Sequence, residues 1–257
     1  MRKANGHEAR ETRELWDRLA ADWQLQVGVT GDRNRILSSD PVLWALAGDV
    51  HGRRVLDAGC GTGYLTKQLQ DRGAHATGID HSERMIAIAQ GDFPEIDFRI
   101  DSCVGLATLP DAEFDLVTAN YVLMDEADLE STVRAFHRVL RPGGIAVAIF
   151  AHPCFPQSGA AASADGQGLG YRWKFPYFSR TKCVDPPWGH FRADFIWFHR
   201  PLSDYWKAFL RAGFAVTGFE EPRLQEERYH LATNPRELHK ASTRPYSVAF
   251  RLEKRAS

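Results

Sequence analysis

Asp57, Gly59, Gly61, Gly63 and Asp80 are the residues whose types and spacing could do chemistry together. Asp57 closes an apolar run, Val55 and Leu56. The three glycines follow at alternate positions, and a helical pattern then begins with Leu65 and Leu69. Strand, glycine turn and helix in that order make a binding loop at the carboxyl edge of a parallel sheet. Glycine lets the backbone turn sharply and approach a ligand with no Cβ in the way. The dinucleotide pattern G-x-G-x-x-G fails in both frames, because its third glycine position falls on Tyr64 or Thr66, and no Gly-Lys-Ser/Thr follows. An acid at the strand end repels phosphate and attracts an ammonium group. Asp80 ends the next apparent strand, His75 to Asp80. It lies about 20 residues after the glycines, the spacing at which an acid holds both ribose hydroxyls. An adenosine carrying an amino acid and no phosphate meets these demands, and S-adenosylmethionine is that molecule.

On these residues the chain resembles the class I S-adenosylmethionine-dependent methyltransferases, of the bacterial small-molecule type. The motifs are DAGCGTG, which includes Cys60, then GIDHSERMI, which includes His81, and RVLRPGGIAVAIF, a helix, turn and strand. They fall within Trp16 to Phe150, with looser similarity beyond. The resemblance implies a Rossmann-like methyltransferase fold: an α/β, doubly wound, seven-stranded and mostly parallel sheet, with N-terminal helices and an inserted aromatic-rich lid. It also implies roles for particular residues. An arginine in this part of the chain meets the methionyl carboxylate, and Arg35 is the candidate. The acid Asp101 accepts from the adenine amino group, and the next backbone N–H, that of Ser102, meets a ring nitrogen. The competing reading of Asp101 is a solvated acid at a strand end.

The elements that must position these groups follow from periodicity. Residues 1–12 are polar and read as frayed. From Glu14 to Gln26 a stripe of Leu15, Trp16, Leu19 and Trp23 has helical spacing. In the family such a helix lies over the cofactor, so Trp16 and Trp23 either line the site or pack on the core. Ser82 is the N-cap expected for the next helix, where Met85 either stacks on adenine or fills the core. Ile96 to Ile100 reads as a third strand. Phe114 to Val122 is a fourth, nearly continuous in apolar residues as a strand buried on both faces should be. Asn120 and Tyr121 stand at its carboxyl end, where ligands bind in open α/β sheets. They lack the Asn-Pro-Pro-Tyr type of motif, which argues against methylation of bases or glutamine. Ile145 to Phe150 is the fifth strand. Three units result: residues 1–150 as N-terminal helices and cofactor core, 151–200 as a substrate cap, and 201–257 as the C-terminal part of the sheet. Pro222 to Pro245 reads as polar loop.

The cap sequence combines a small-residue stretch, HPCFPQSGAAASADGQGLG, with segments dense in aromatics. Phe191, Ala193, Phe195, Trp197 and His199 would share one face of a strand. Phe155, Trp188 and Trp197, with Tyr171, Trp173 and others, suggest an apolar pocket that excludes water, or glue that holds the insertion to the domain. Methyl transfer from a sulfonium is an in-line displacement, so alignment supplies most of the effect, about 7–11 kcal/mol. A hydroxyl acceptor gains from a general base, and an amine needs none. His152, which directly follows strand five, is the first choice of base, then His199 and His190. Each could instead be structural. No trio of acids for a metal is evident, which argues against a magnesium-dependent catechol mechanism.

Composition sets the outer bounds. The chain has 257 residues, 44% hydrophobic and 25% charged, with net charge −1. That suits a globular domain with an insertion and offers no field for nucleic acid. No apolar run reaches membrane-spanning length, and the N-terminus is polar rather than a signal peptide. The four cysteines are scattered, which argues against zinc and disulfides and makes a reducing cytoplasm the default. The expected partner is a small molecule, with neither nucleic acid nor membrane, and with a homodimer as one option for assembly. Three functional readings remain: an O-methyltransferase of a small, aromatic or apolar molecule in secondary metabolism; an N- or C-methyltransferase on the same scaffold; and a protein that keeps the cofactor fold without methylating.

Overall fold

Parallel strands need helical crossovers, and the alternation of apolar runs with amphipathic segments supplies them. In the computed structural model, which describes residues 6–155, 160–162, 169–171 and 174–255, seven strands form one sheet in the order β10-β11-β5-β4-β1-β2-β3. These are β1 (Arg54–Ala58), β2 (His75–Asp80), β3 (Asp97–Ile100), β4 (Phe114–Asn120), β5 (Leu140–Ala151), β10 (Phe214–Glu220) and β11 (Ser247–Lys254). β1 to β5 are parallel, and β11 runs antiparallel between β5 and β10. The order turns at β1: β2 and β3 lie on one side, β4 and β5 on the other. Loops leaving β1 and β4 therefore part in opposite directions and open a crevice at their carboxyl ends.

Each face of the sheet is covered. On one, α2 (Asp40–Ala47) and α3 (Tyr64–Asp71) bury Leu43, Leu65 and Leu69 against Val55, Leu116 and Val147. On the other, α5 (Leu129–Val139) and α6 (Leu202–Arg211) bury Phe136 and Phe209 against Val117, Phe150 and Phe250. α4 (Glu83–Asp92) packs Ile86 and Ala89 on Phe98. Ser82 caps it, its hydroxyl accepting from the Met85 N–H at 3.1 Å. Gly63 opens α3 at φ +89°, and a Cβ there would stand 2.8 Å from the Phe98 ring. That glycine serves the close approach of helix to strand.

Three expectations are corrected. The first helix, α1 (Gly6–Val27), begins well before Glu14. Thr12 is buried within the stretch read as frayed, and Glu11 pairs with Lys182 of the cap. Tertiary packing orders that polar start. The segment after Pro222 is not mainly loop: it holds a 3₁₀ turn (Glu226–Leu231) and α7 (Pro235–Thr243). Its signal was Asn-Pro-Arg-Glu, in which the Asn234 side chain accepts the Glu237 N–H at 2.9 Å and proline holds the first turn. In the cap, the antiparallel hairpin of β8 (Thr181–Asp185) and β9 (Phe195–His199) starts only at Phe195, so Phe191 lies outside the strand. Within β9, Ile196 and Phe198, on the other face, join Phe191 in the cluster buried with Leu15 and Leu19 of α1.

A short hairpin, β6 (Ala160–Ala162) with β7 (Leu169–Tyr171), precedes this one, and Trp173 and the Tyr171 side chain lie outside the described residues. The larger hairpin is tied to the loop after β4. The Phe198 N–H donates to the Met124 carbonyl at 2.7 Å, and the Arg200 guanidinium donates to the carbonyls of Ala127, at 3.0 Å, and Glu126. Among the described residues no helix is long and apolar enough to cross a membrane, and no group of three His, Cys, Asp or Glu could hold a metal.

Candidate functional site

The crevice at the ends of β1, β2 and β4 is built largely by backbone. Asp57 ends β1 1% exposed, its carboxylate accepting the hydroxyls of Thr66 at 2.7 Å and Thr118 at 3.1 Å. Burial pushes it up to about 6, more than the two hydroxyls lower it. Gly59 sits at φ +73°, where a Cβ would stand 2.4 Å from a Val122 methyl. No other residue fits both the φ and the space. Asp80 at the end of β2 accepts the Gly61 N–H at 3.0 Å and the Ser82 N–H at 2.9 Å, one on each carboxylate oxygen. It thereby clamps the glycine loop and keeps lone pairs for a ligand on both oxygens.

α1 closes the crevice from above. Trp23 brings its indole nitrogen within 3.3 Å of where a Cβ on Gly61 would stand. Asp17 accepts from the Ser82 hydroxyl at 2.6 Å and so fixes α1 over the start of α4. Arg35, 7% exposed in a π-helical turn, pairs with Asp32 at 2.8 Å and lies between the rings of Trp23 and Tyr121. Tyr121 has φ +61°, a left-handed conformation that a non-glycine residue adopts only when its surroundings hold it there. The Tyr121 hydroxyl accepts from Asn34 at 2.6 Å.

The structure brings most of the expected cofactor residues to this crevice: Asp57, Gly59, Cys60, Gly61, Asp80 and His81 line it from one side. Met85, Asn120, Tyr121 and Arg35, with Trp16 and Trp23, complete it. Met85 lines the crevice and is at the same time 1% exposed, packed in the core. Gly63, Asp101 and Ser102 stand outside the lining. Asp101 turns away: its carboxylate accepts the N–H groups of Ser102 at 2.7 Å and Thr108 at 2.8 Å and the Thr108 hydroxyl at 2.6 Å. It is the anchor of the loop after β3, and Cys103 reaches the crevice in its place.

Beyond Tyr121 the crevice opens into a cavity of about 1200 Å³. Trp16, Trp23, Arg35, Tyr121 and Asp125 line both spaces. Trp188, Trp197, His152 and His199 line the cavity, whereas Phe155 and His190 do not. Phe155 rests edge-on against His152, and His190 donates to the Asp22 carbonyl at 2.9 Å beside Phe191. His152 is corrected as a base. Its Nδ1 accepts the Cys154 N–H at 3.1 Å, so the proton sits on Nε2, which donates to Glu221 at 2.8 Å. Both nitrogens are committed, and burial lowers the pKa of the ring. His199 donates from Nε2 to the Tyr177 carbonyl at 2.8 Å, which makes Nδ1 its basic nitrogen, and burial lowers its pKa as well.

Sequence reasoning missed Asp125. It follows β4 in the loop that also carries Glu126, and both acids line the crevice. Burial pushes the Asp125 carboxyl well above the ordinary carboxylate range, and neighbouring Glu126 and Asp80 push it further. The signal was present as Met-Asp-Glu-Ala-Asp at the exit of a buried strand, but it reads equally as the acidic start of a helix.

Residues 56–148 match the family model described as methyltransferase domain. The chain carries a class I S-adenosylmethionine-dependent methyltransferase domain. Among curated proteins it is similar to the ubiquinone biosynthesis O-methyltransferase of Bordetella avium (strain 197N), 39% identical over 103 residues. That alignment covers 38% of this chain and 43% of the relative, so the chain spans less than half the length of the curated relative it matches. Among solved structures it is similar to an S-adenosylmethionine dependent methyltransferase from Mesorhizobium loti, 25% identical with a TM-score of 0.68, over 83% of this chain and 96% of that one. The [4+2]-cyclase SpnF shares the fold, at 18% identity and a TM-score of 0.61, over 97% of each chain. A fold that also serves a cyclase does not by itself fix the reaction.

The cofactor of this domain family is S-adenosylmethionine, and the residues present fit it. Asn120 faces the crevice with both amide atoms buried and unpartnered among the described residues, and such groups are costly unless a ligand pairs them. The glycine cradle has no room for a Cβ at Gly59. Asp57, Asp80 and Asn120 carry acceptors that would meet ammonium and hydroxyl groups, and Arg35, paired with Asp32, carries the cation that would meet a carboxylate.

Proposed function

We propose that the protein transfers a methyl group from S-adenosylmethionine to a hydroxyl of a small apolar or aromatic molecule, of the kind made in secondary metabolism, with residues 151–200 as the cap over the acceptor and residues 1–150 and 201–257 as the core. The observation that carries this reading is the direct opening of the acid-and-glycine crevice into the aromatic cavity, with Tyr121 and Asp125 at the junction. The words O-methyltransferase in the name of the curated relatives agree with it.

When bound, the cofactor supplies a methyl group on a sulfonium sulfur, a leaving group that departs neutral. The chain then has three tasks. Asp57, Asp80, Arg35 and Asn120 bind and orient. The rings of Trp16 and Trp23 exclude water above the crevice, which strengthens charge interactions inside it. Asp125 takes the hydroxyl proton at a carboxylate oxygen. A carboxylate whose pKa burial raises is a stronger base than an ordinary one, and base assistance is worth about 10²–10⁴-fold. His199, on the cavity wall, is the second residue to test as the proton acceptor.

The test is calorimetric titration with S-adenosylmethionine and S-adenosylhomocysteine, then a screen of hydroxylated and amino acceptors for the mass of one added methyl. Micromolar binding of both compounds, with methyl gain on hydroxyls, is the expected result. Binding with gain only on amines would replace O- by N-methylation. Absence of binding would overturn the assignment of the crevice.

A further inference from the structure

The cavity has two unlike walls. One carries the rings of Trp188, Phe195 and Trp197 from the cap. The other is cationic and comes from α7 and the residue that ends it: Arg236, Lys240 and Arg244 all line the cavity. Positions four apart share one helix face, and like charges there repel. Among the described residues of the lining, the carboxylates that could compensate Arg236 and Lys240 are engaged elsewhere. Both oxygens of Glu237 accept from Arg33, at 2.8 and 2.7 Å, and one also accepts the Thr233 N–H at 2.7 Å. Asp32 is paired with Arg35. Asp185 accepts the Trp197 indole N–H at 2.8 Å and stands 3.7 Å from Lys174. Asp125 lies at the crevice end. The Lys240 ammonium instead sits 5.3 Å from the centre of the Tyr246 ring. Partial shielding from solvent beside the cavity lowers its pKa, and the charges of Arg244 and Arg236 lower it further. Folding alone gains nothing from two cations one turn apart beside a cavity.

We infer that the methyl acceptor is an aromatic or apolar molecule bearing an oxyanion, which meets Arg236 and Lys240 while the apolar body lies on Trp188, Phe195 and Trp197 and the reacting end reaches Tyr121 and Asp125. The inference rests on the reading of the cavity as the acceptor site. Nothing in the charge pattern of the whole chain announces it, because a net charge of −1 hides a local cationic face. The oxyanion is a carboxylate, a phosphate ester or a sulfate ester, each a partner for guanidinium and ammonium groups in the same place.

Two fluorescent probes test it on the full chain. 8-Anilinonaphthalene-1-sulfonate and N-phenyl-1-naphthylamine share one aromatic skeleton and differ by a single sulfonate. The native protein is expected to bind the sulfonate about tenfold more tightly, the ratio one good charge contact gives. The double variant Arg236→Gln, Lys240→Gln is expected to lose that preference and to bind the neutral probe unchanged. Both positions are exposed on α7, and a thermal melt of the variant checks that it folds. Equal binding of the two probes by the native protein, or a preference that survives in the variant, would overturn the inference. Displacement of the sulfonate probe by 1-naphthoate or by 1-naphthyl phosphate ranks carboxylate against phosphate, and failure of both is a further refutation. S-adenosylhomocysteine titration of the same samples separates the two readings. Lost cofactor binding with the probe preference intact refutes methyl transfer alone, and the reverse refutes the anion site alone.

Discussion

The crevice and the cavity meet at Tyr121 and Asp125 yet are built by different means. In the crevice the ligand-facing groups are held by backbone: Asp80 by two N–H groups, the glycine loop by positive φ, and Tyr121 in a left-handed conformation. In the cavity they are long side chains on a hairpin and a helix, anchored by a few bonds such as Arg200 to the Glu126 and Ala127 carbonyls. The difference teaches where change is tolerated. Backbone geometry cannot be altered one residue at a time without loss, whereas side chains on the cavity walls can be exchanged singly.

Four outcomes would break or sharpen that contrast. The largest is expected at the junction. Asp125→Asn should lower turnover on a hydroxyl acceptor about 10²-fold or more, as loss of a general base does, with cofactor affinity nearly kept. An unchanged rate, read by single-turnover kinetics, would move the proton to His199 or remove the base altogether. Next is the backbone. Gly59→Ala should cost roughly 1–3 kcal/mol of stability, from strain at φ +73° and the clash with Val122. Gly48→Ala, at φ +70° with nothing within 4 Å, isolates the strain alone. Equal thermal shifts for the two would show that the crevice is no tighter than a surface turn.

The third outcome is a pH dependence. Asp57 has its folded pKa raised to about 6 by burial, so the protonated form favours the folded state. That stabilisation is complete below the ordinary value near 3.8 and is lost as pH rises through about 6. A cationic ligand favours the ionised form instead. Cofactor affinity should therefore rise between pH 5 and 7 by about tenfold and flatten above, measured by calorimetry. The Asp57→Asn variant should show neither trend, and a slope that persists in it would belong to another group. The smallest effect is expected in the cap. Trp197→Phe removes the indole bond to Asp185 and should cost about 1 kcal/mol while leaving cofactor affinity alone. A loss of cofactor binding there would mean that cap and crevice are coupled.

Legibility follows the same division. The acid, the three glycines and Asp80 could be read from spacing because a strand–turn–helix fixes φ and direction within a few residues. Arg35, Trp16 and Trp23 were found by analogy and helical period, and the fold brings them to the crevice. Asp101 could not be read. Its identity suits a ligand, and only the loop to Thr108 shows that its carboxylate is already consumed. His152 failed for a similar reason, since its place after β5 says nothing of the Cys154 N–H and Glu221 that occupy its two nitrogens.

By itself the sequence determined the alternation of strands and helices and the residues of the glycine cradle, because each is local: a period, a turn or a positive φ within one stretch of chain. Only the tertiary structure decided which carboxyl stands at the junction and which histidine nitrogen can accept a proton. It alone decided that Arg236 and Lys240 line the same cavity as Trp188, Phe195 and Trp197, some 40 residues earlier in the chain. Those facts depend on contacts between distant segments, where burial and hydrogen bonding set the charge and basicity that residue type alone leaves open.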